Sequence, residues 1–229
     1  MSNERTYSFP LVVSYFKALR GLQKPEADVL ERVAPTASDK RMLDIGVGGG
    51  RTTAHFAPPF FEYVGIDSAE PMVLACRKRF TRSMDNGHFE VCDVRSMTRF
   101  ADGTFDFILF SYNGLDYIDH EGRLRALSEI RRVAKKGARF LFSSHNLEVL
   151  RQKRLWKLWR SNPPAEDVLS RDWAIVNDGA LMLRLSTYYI RPEAQIAQLE
   201  RAGFGNVEVL KLSNGSRVDP WLYYLCTVN

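Results

Sequence analysis

Short apolar runs, each closing on a polar or acidic residue, recur along the chain and alternate with stretches of helical spacing. Met42–Ile45, the run ending at Asp67, the run ending at Asp93, FDFILF (105–110) and ARFLF (138–142) are each about the length of one strand and carry few polar positions. Continuous rather than alternating hydrophobicity marks strands buried on both faces, as in a parallel sheet. LSEIRRVAKKG (127–137) reads as the helix entering the fifth run. RPEAQIAQLERAGF (191–204), with apolar residues at Ala194, Ile196, Ala197, Leu199 and Ala202, reads as a helix that Gly203 stops. NVEVLKL and WLYYLCTV follow, joined by a linker containing SNGSR that is too short for a crossover helix, so they should pair antiparallel as a terminal hairpin. Strands alternating with helices predict a doubly wound, mostly parallel α/β sheet of seven strands with right-handed connections and an antiparallel end.

The most specific stretch is MLDIGVGGGRTT (42–53), where Asp44 ends a strand directly before Gly46, Gly48 and Gly50. Glycines at such a turn let the backbone pass close to a ligand. A dinucleotide fingerprint needs G-x-G-x-x-G, but counting from Gly46 the sixth position is Arg51, a large cation where close helix packing wants glycine. The following runs end in Asp67 and Asp93, and the fourth opens into Ser111, Tyr112 and Asn113. Ligands bind at the carboxyl ends of strands in open α/β sheets. One acid at a strand end is commonly a helix cap or turn former. Three in register with the glycines exceed that explanation.

The D-x-G-x-G-x-G spacing resembles the first motif of the class I S-adenosylmethionine-dependent methyltransferases, and the resemblance runs from about residue 40 to the end. It implies a Rossmann-like methyltransferase domain over 1–229, with an N-terminal helical cap (1–35) and a substrate-lid insertion (147–180). It further implies that S-adenosylmethionine is held by Asp44, Gly46, Gly48 and Gly50, by Asp67 on the ribose with Ser68 and Met72 beyond it, by Asp93 and Val94 at the adenine, and by Ser111. Tyr15 and Arg20 would belong to the cap over the cofactor, with Tyr7 and Phe16 nearby. Tyr112 and Asn113 would lie nearest the transferred methyl group. His145, in SSHN at the end of the fifth strand, is the candidate base or substrate anchor, although a structural capping role explains its position equally well.

Charge sharpens the choice of acceptor. The net charge of +5 equals the five cations of RQKRLWKLWR (151–160), which contains no acid, so the rest of the chain is balanced. A local basic segment suits an amphipathic lid, or docking of an anionic small molecule, better than a general nucleic-acid surface. Methylation of nitrogen or oxygen on a small metabolite is the leading reading. An RNA-modifying enzyme, a non-catalytic cofactor-binding regulator and an NAD-dependent oxidoreductase are the alternatives. Asn162-Pro163-Pro164 is read as a stop after the lid rather than as an amine-binding motif, since Ala165 stands where an aromatic residue should follow. Three cysteines without metal-type spacing read as buried free thiols, and no metal site is expected. The absence of a long apolar run or an evident leader predicts no membrane insertion and a cytoplasmic location.

Overall fold

A computed structural model describes residues 6–80, 82–152, 164–178, 185–213 and 218–229. Its elements are α1 (Pro10–Ala18), α2 (Lys24–Val33), β1 (Arg41–Ile45), α3 (Thr53–Phe56), β2 (Glu62–Asp67), α4 (Glu70–Phe80), β3 (Gly87–Val91), β4 (Phe105–Phe110), α5 (His120–Val133), β5 (Ala134–Asn146), α6 (Glu166–Leu169), β6 (Trp173–Asp178), β7 (Leu185–Ile190), α7 (Pro192–Arg201), β8 (Phe204–Leu210) and β9 (Trp221–Val228). Single 3-10 turns occupy Ala34–Thr36, Gly114–Tyr117 and Leu147–Arg151.

The strands β3-β2-β1-β4-β5 are parallel neighbours, β9 lies antiparallel on β5, and β8 pairs antiparallel with β9. The expected terminal hairpin is therefore present. Alternate residues of each run feed opposite faces of the sheet. Leu43, Ile45, Ile108 and Phe110 join one core layer, whereas Met42, Phe107 and Leu109 join the other. Burial on both sides is why these runs show no polar alternation.

Among the described residues the sheet has nine strands rather than the expected seven. The addition is the β6–β7 hairpin, which begins inside the segment read as a lid. Its alternation separates two faces. Ala174, Val176 and Tyr189 pack on Leu147, Leu150 and Leu169 in a small separate core. Ile175 and Tyr188, paired across the strands, turn the other way. At the end of β5, His145 and Asn146 pair in parallel with Tyr189 and Ile190 of β7. His145 also pairs with Trp221 of β9, so β7 occupies the edge that β4, paired only as far as Phe142, has left. The hairpin thus overhangs the carboxyl ends of the parallel strands.

Two further expectations are corrected. The helix before β5 ends at Val133, because Ala134 is already extended and pairs with Phe105. Cys92 is half-buried beyond the end of β3, whereas Cys76 and Cys226 are buried. The basic segment and Asn162-Pro163 lie, apart from Arg151 and Gln152, outside the described residues. Among the described residues no helix is long and apolar enough to cross a membrane, and no three His, Cys, Asp or Glu side chains gather as a metal site requires.

Candidate functional site

A cavity of about 660 Å³ opens along the carboxyl ends of the parallel strands, between the glycine loop, the turn after β4, α1 and the hairpin. The loop reaches it through left-handed Gly46 (φ 64°) and Gly48 (φ 54°). Gly50 is also left-handed but does not line the cavity; a Cβ there would come within 2.4 Å of the Phe80 ring, so this glycine permits α4 to close on the loop. Gly49, which the spacing argument passed over, is the tightest approach of α1. Its absent Cβ would stand 2.5 Å from the Phe16 carbonyl oxygen and 2.6 Å from Lys17 Cα. The signal in the sequence is the unbroken triple glycine.

Asp44 is buried, and its Oδ2 accepts from the Thr52 and Tyr63 hydroxyls, each at 2.6 Å. Burial raises its carboxyl to about 6 in spite of those bonds. A carboxyl bound more tightly by protons when folded favours folding below its unfolded value and loses that contribution as pH rises through about 6. Asp44→Asn is therefore expected to gain stability relative to the parent as pH goes from 4.5 to 7.5, by about 2 to 3 kcal/mol at about 1.4 kcal/mol per unit. Urea unfolding of both proteins at the two pH values checks this; a difference independent of pH would show that Asp44 does not titrate in this range.

Asp67 anchors the loop from the neighbouring strand. Its Oδ2 accepts from the Gly48 amide at 3.0 Å and its Oδ1 from the Ala69 amide at 2.9 Å, while burial holds its carboxyl above the ordinary value. Ser68 and Met72 line the same wall. Beyond β3, Asp93 and Val94 continue it. Burial tends to raise the Asp93 carboxyl, but paired hydrogen bonds from Arg95 bring it below the ordinary value.

Arg51, met in the sequence only as a breach of the dinucleotide pattern, is the hinge of a buried polar cluster. It grips Glu26 of α2 through Nη1 and Nη2 at 2.7 and 2.6 Å, and donates to Ser111 Oγ at 3.0 Å and to the Gly21 carbonyl at 3.0 Å. Glu26 is wholly buried and also accepts from Ser111 and from the Tyr223 hydroxyl. Burial would raise its carboxyl; Arg51 and the other donors outweigh that and lower it. The guanidinium lies 5.2 Å from the Tyr112 ring centroid.

After β4, Tyr112 (φ 57°) and Asn113 (φ 61°) are consecutive left-handed residues with side chains. Such conformations cost on the order of 1 to 3 kcal/mol each and persist where surrounding structure enforces them. Ser111 and Tyr112 line the cavity, and burial together with the hydrogen bond that Tyr112 donates to Tyr15 lifts the Tyr112 hydroxyl to about 12. Tyr15 itself is exposed and does not line the cavity; Tyr7 and Phe16 do. Nor does Arg20, whose guanidinium returns to the Lys17 and Leu19 carbonyls. Leu19 takes that place.

His145 and Asn113 do not line the cavity either, which corrects the expectation that His145 faces it. His145 Nδ1 lies 2.8 Å from Asp116 Oδ2, its Nε2 lies 3.3 Å from Asn113 Nδ2, and the Tyr117, Tyr189 and Trp221 rings surround it. The far wall is instead Tyr117, Ile118, Asp119, Ile175, Ser186 and Tyr188. Sequence reasoning did not find the hairpin residues, although alternation in LSTYYI was available as a signal.

A parallel sheet ended by an antiparallel hairpin, with Asp44, Asp67 and Asp93 at successive strand ends around a glycine loop, defines the class I methyltransferase fold. Residues 42–137 match the family model described as a methyltransferase domain. An uncharacterized methyltransferase of Bacillus subtilis, YcgJ, is 31% identical over 115 residues, covering 50% of this chain and 44% of its own length. The PH0226 protein of Pyrococcus horikoshii has a similar fold, with a TM-score of 0.70 at 18% identity over 96% of this chain and 100% of that one. So has the 1,6-didemethyltoxoflavin-N1-methyltransferase of Burkholderia thailandensis, with a TM-score of 0.65 at 17% identity over 90% and 78% of the two chains. In its matched domain and in its fold the chain is similar to the class I S-adenosylmethionine-dependent methyltransferases. It spans between 29% and 56% of the length of the relatives it matches by sequence.

Proposed function

We propose that the protein transfers the methyl group of S-adenosylmethionine to a nitrogen or oxygen of a small molecule. The observation that carries this reading is a single cavity with two chemically distinct ends: acids and glycines on the strand side, aromatic and aliphatic side chains from α1, the 114–119 turn and the hairpin on the other. The residues fit the cofactor. Asp44 keeps Oδ1 without a protein donor among the described residues, where it can receive the methionine ammonium. Asp67 accepts the ribose hydroxyls beside its two amide bonds, and Asp93 and Val94 flank the adenine, with Ser68 and Met72 completing that wall. When bound, S-adenosylmethionine supplies an electrophilic methyl on a sulfonium, so the protein's task is chiefly to hold the nucleophile in line and exclude water.

The acceptor sits between Tyr7, Tyr117, Ile175 and Ser186, with Tyr112 at the boundary between the two ends. Asp119 is the cavity-lining group placed to take a proton or anchor an amine; its Oδ1 caps α5 on the Gly122 amide at 2.7 Å. An amine arriving neutral needs no base at all. The cavity's electrostatics disfavour the RNA alternative. Arg51 and Arg95 on its wall are already matched by Glu26 and Asp93, while Asp44, Asp67 and Asp119 add negative charge against a phosphate backbone. The small-molecule substrate of the Burkholderia neighbour is a compatible precedent. Anionic docking on residues 151–160 rests on side chains that, except for Arg151 and Gln152, lie outside the described residues.

Calorimetric titration should show S-adenosylmethionine and S-adenosylhomocysteine binding at least a hundredfold more tightly than NAD. Incubation of metabolite extracts and of total RNA with methyl-labelled cofactor should then put label in the small-molecule fraction. Equal binding of NAD would reject the cofactor, and label confined to RNA would reject the acceptor.

A further inference from the structure

Beneath the floor of the cavity lies a polar cluster that the proposed chemistry does not use. Arg123 of α5 and Asp116 of the 114–117 turn are both fully buried and pair at 2.6 Å. Four donors converge on the Asp116 carboxylate: Arg123 Nη1 at 2.6 Å and Ser144 Oγ at 2.7 Å on Oδ1, the His145 amide at 2.6 Å and His145 Nδ1 at 2.8 Å on Oδ2. Arg123 continues outward. It donates to Gln198 at 2.9 Å, to Ser144 at 3.1 Å and to Gln195, and its guanidinium lies 4.7 Å from the centroid of the Tyr188 ring. One ion pair therefore ties together the turn after β4, α5, the end of β5, β7 and α7.

Neither Asp116 nor Arg123 lines the cavity, yet the chain on both sides of Asp116 does. Tyr112 and Gly114 precede it; Tyr117, Ile118 and Asp119 follow. This is also the strained segment, with Tyr112 and Asn113 left-handed in succession. Its other fastenings include the Ser111 hydroxyl on Glu26, the Asn113 amide on Ser143 Oγ at 2.8 Å, the Asp116 amide on the Asn113 carbonyl at 3.0 Å and the Asp119 cap on the Gly122 amide. Strain at adjacent non-glycine residues relaxes unless something downstream holds the chain.

We propose that the buried Arg123–Asp116 pair is a positioning element for methyl transfer: it clamps the 111–119 segment in its strained course, so that Tyr112 is held where the two ends of the cavity meet and Tyr117 with Asp119 at the acceptor end. The proposal rests on the methyl-transfer reading. A purely architectural pair would serve only to neutralise Arg123 where α5 packs on the 114–117 turn and α7. The two roles separate because a buried ion pair can be replaced by neutral groups with little loss of stability, whereas removal of one partner strands the other charge.

The test compares the parent with Asp116→Asn/Arg123→Met, and with the same double variant carrying Asn113→Gly. Glycine enters the left-handed region freely, so it should remove part of what the clamp must hold. Hydrogen exchange followed by mass spectrometry should show amides of 111–119 exchanging at least tenfold faster in the double variant, with 42–50 and 62–67 unchanged. Affinity for S-adenosylhomocysteine should fall about three- to tenfold. Asn113→Gly should recover most of both losses. Unchanged exchange in 111–119, a uniform increase across the sheet, or no recovery with glycine would each overturn the clamp. If the double variant does not fold, Ser144→Ala removes one donor from the carboxylate, and the same local increase must appear in lesser degree or the proposal fails. Exchange is also measured without ligand. A parent protein that did not bind S-adenosylhomocysteine would overturn the methyl-transfer reading separately, while unaltered exchange with intact binding would overturn the clamp alone.

Discussion

Asp67→Ala is expected to weaken S-adenosylhomocysteine binding by about thirtyfold to a thousandfold. In the proposed binding mode two charge-assisted hydrogen bonds from the ribose, at about 1 to 2 kcal/mol each, account for about 2 to 4 kcal/mol. The same substitution removes the acceptor for the Gly48 amide, so the loop is released together with the ligand's partner. Asp67→Asn keeps a carbonyl that can still receive one amide, and should recover loop order more than affinity. Calorimetry gives the affinity and thermal unfolding the stability. An alanine variant with unchanged affinity would place the ribose elsewhere in the cavity.

Glu26→Ala should cost about 3 to 5 kcal/mol of stability, because it leaves the Arg51 guanidinium buried with its two strongest bonds unmade. Glu26→Met/Arg51→Met, which removes both charges, should regain much of that loss. The carboxyl also carries a sign that acid titration can read. Its folded value is lowered, so its contribution is present above the unfolded value near 4.5 and is lost as pH falls through the folded one. The parent should consequently lose more stability than the double-methionine variant between pH 6 and pH 3. Parallel losses in denaturant midpoint would show that the pair contributes nothing beyond packing.

The strand side of the cavity was legible because each of its groups sits where a buried run ends. Asp44, Asp67, Asp93 and Ser111 inherit their positions from strand register, and a parallel sheet gathers its carboxyl ends on one side. The other half depends on where side chains turn, which spacing does not report. His145 was correctly assigned to the end of β5, but its ring is drawn away from the cavity by Asp116, a residue whose burial no local pattern announces. Arg123 is the clearest case. On a helix otherwise rich in exposed charge it looks like one more solvated cation, and only the packing of α7 and β7 against it encloses the guanidinium. Tyr15 sits on the exposed side of α1, and Arg20, just past the end of that helix, turns back onto the Lys17 and Leu19 carbonyls.

The β6–β7 hairpin escaped notice for another reason. WAIVND and LSTYYI are strand-like when read alone, but the first lies near a highly basic segment whose helical spacing suggested a lid. The pairing that settles the matter is only two residues long on β5. That short seam separates two parts of the chain with different constraints. The strand side of the cavity is built by residues of the matched domain, 42–137, whereas Ile175, Ser186 and Tyr188 of the opposite wall lie between 173 and 190. Residues on the cavity face of the hairpin can therefore vary without touching the small apolar core behind it, and a lineage can acquire a new substrate by drift in one ribbon while inheriting its methyl donor intact.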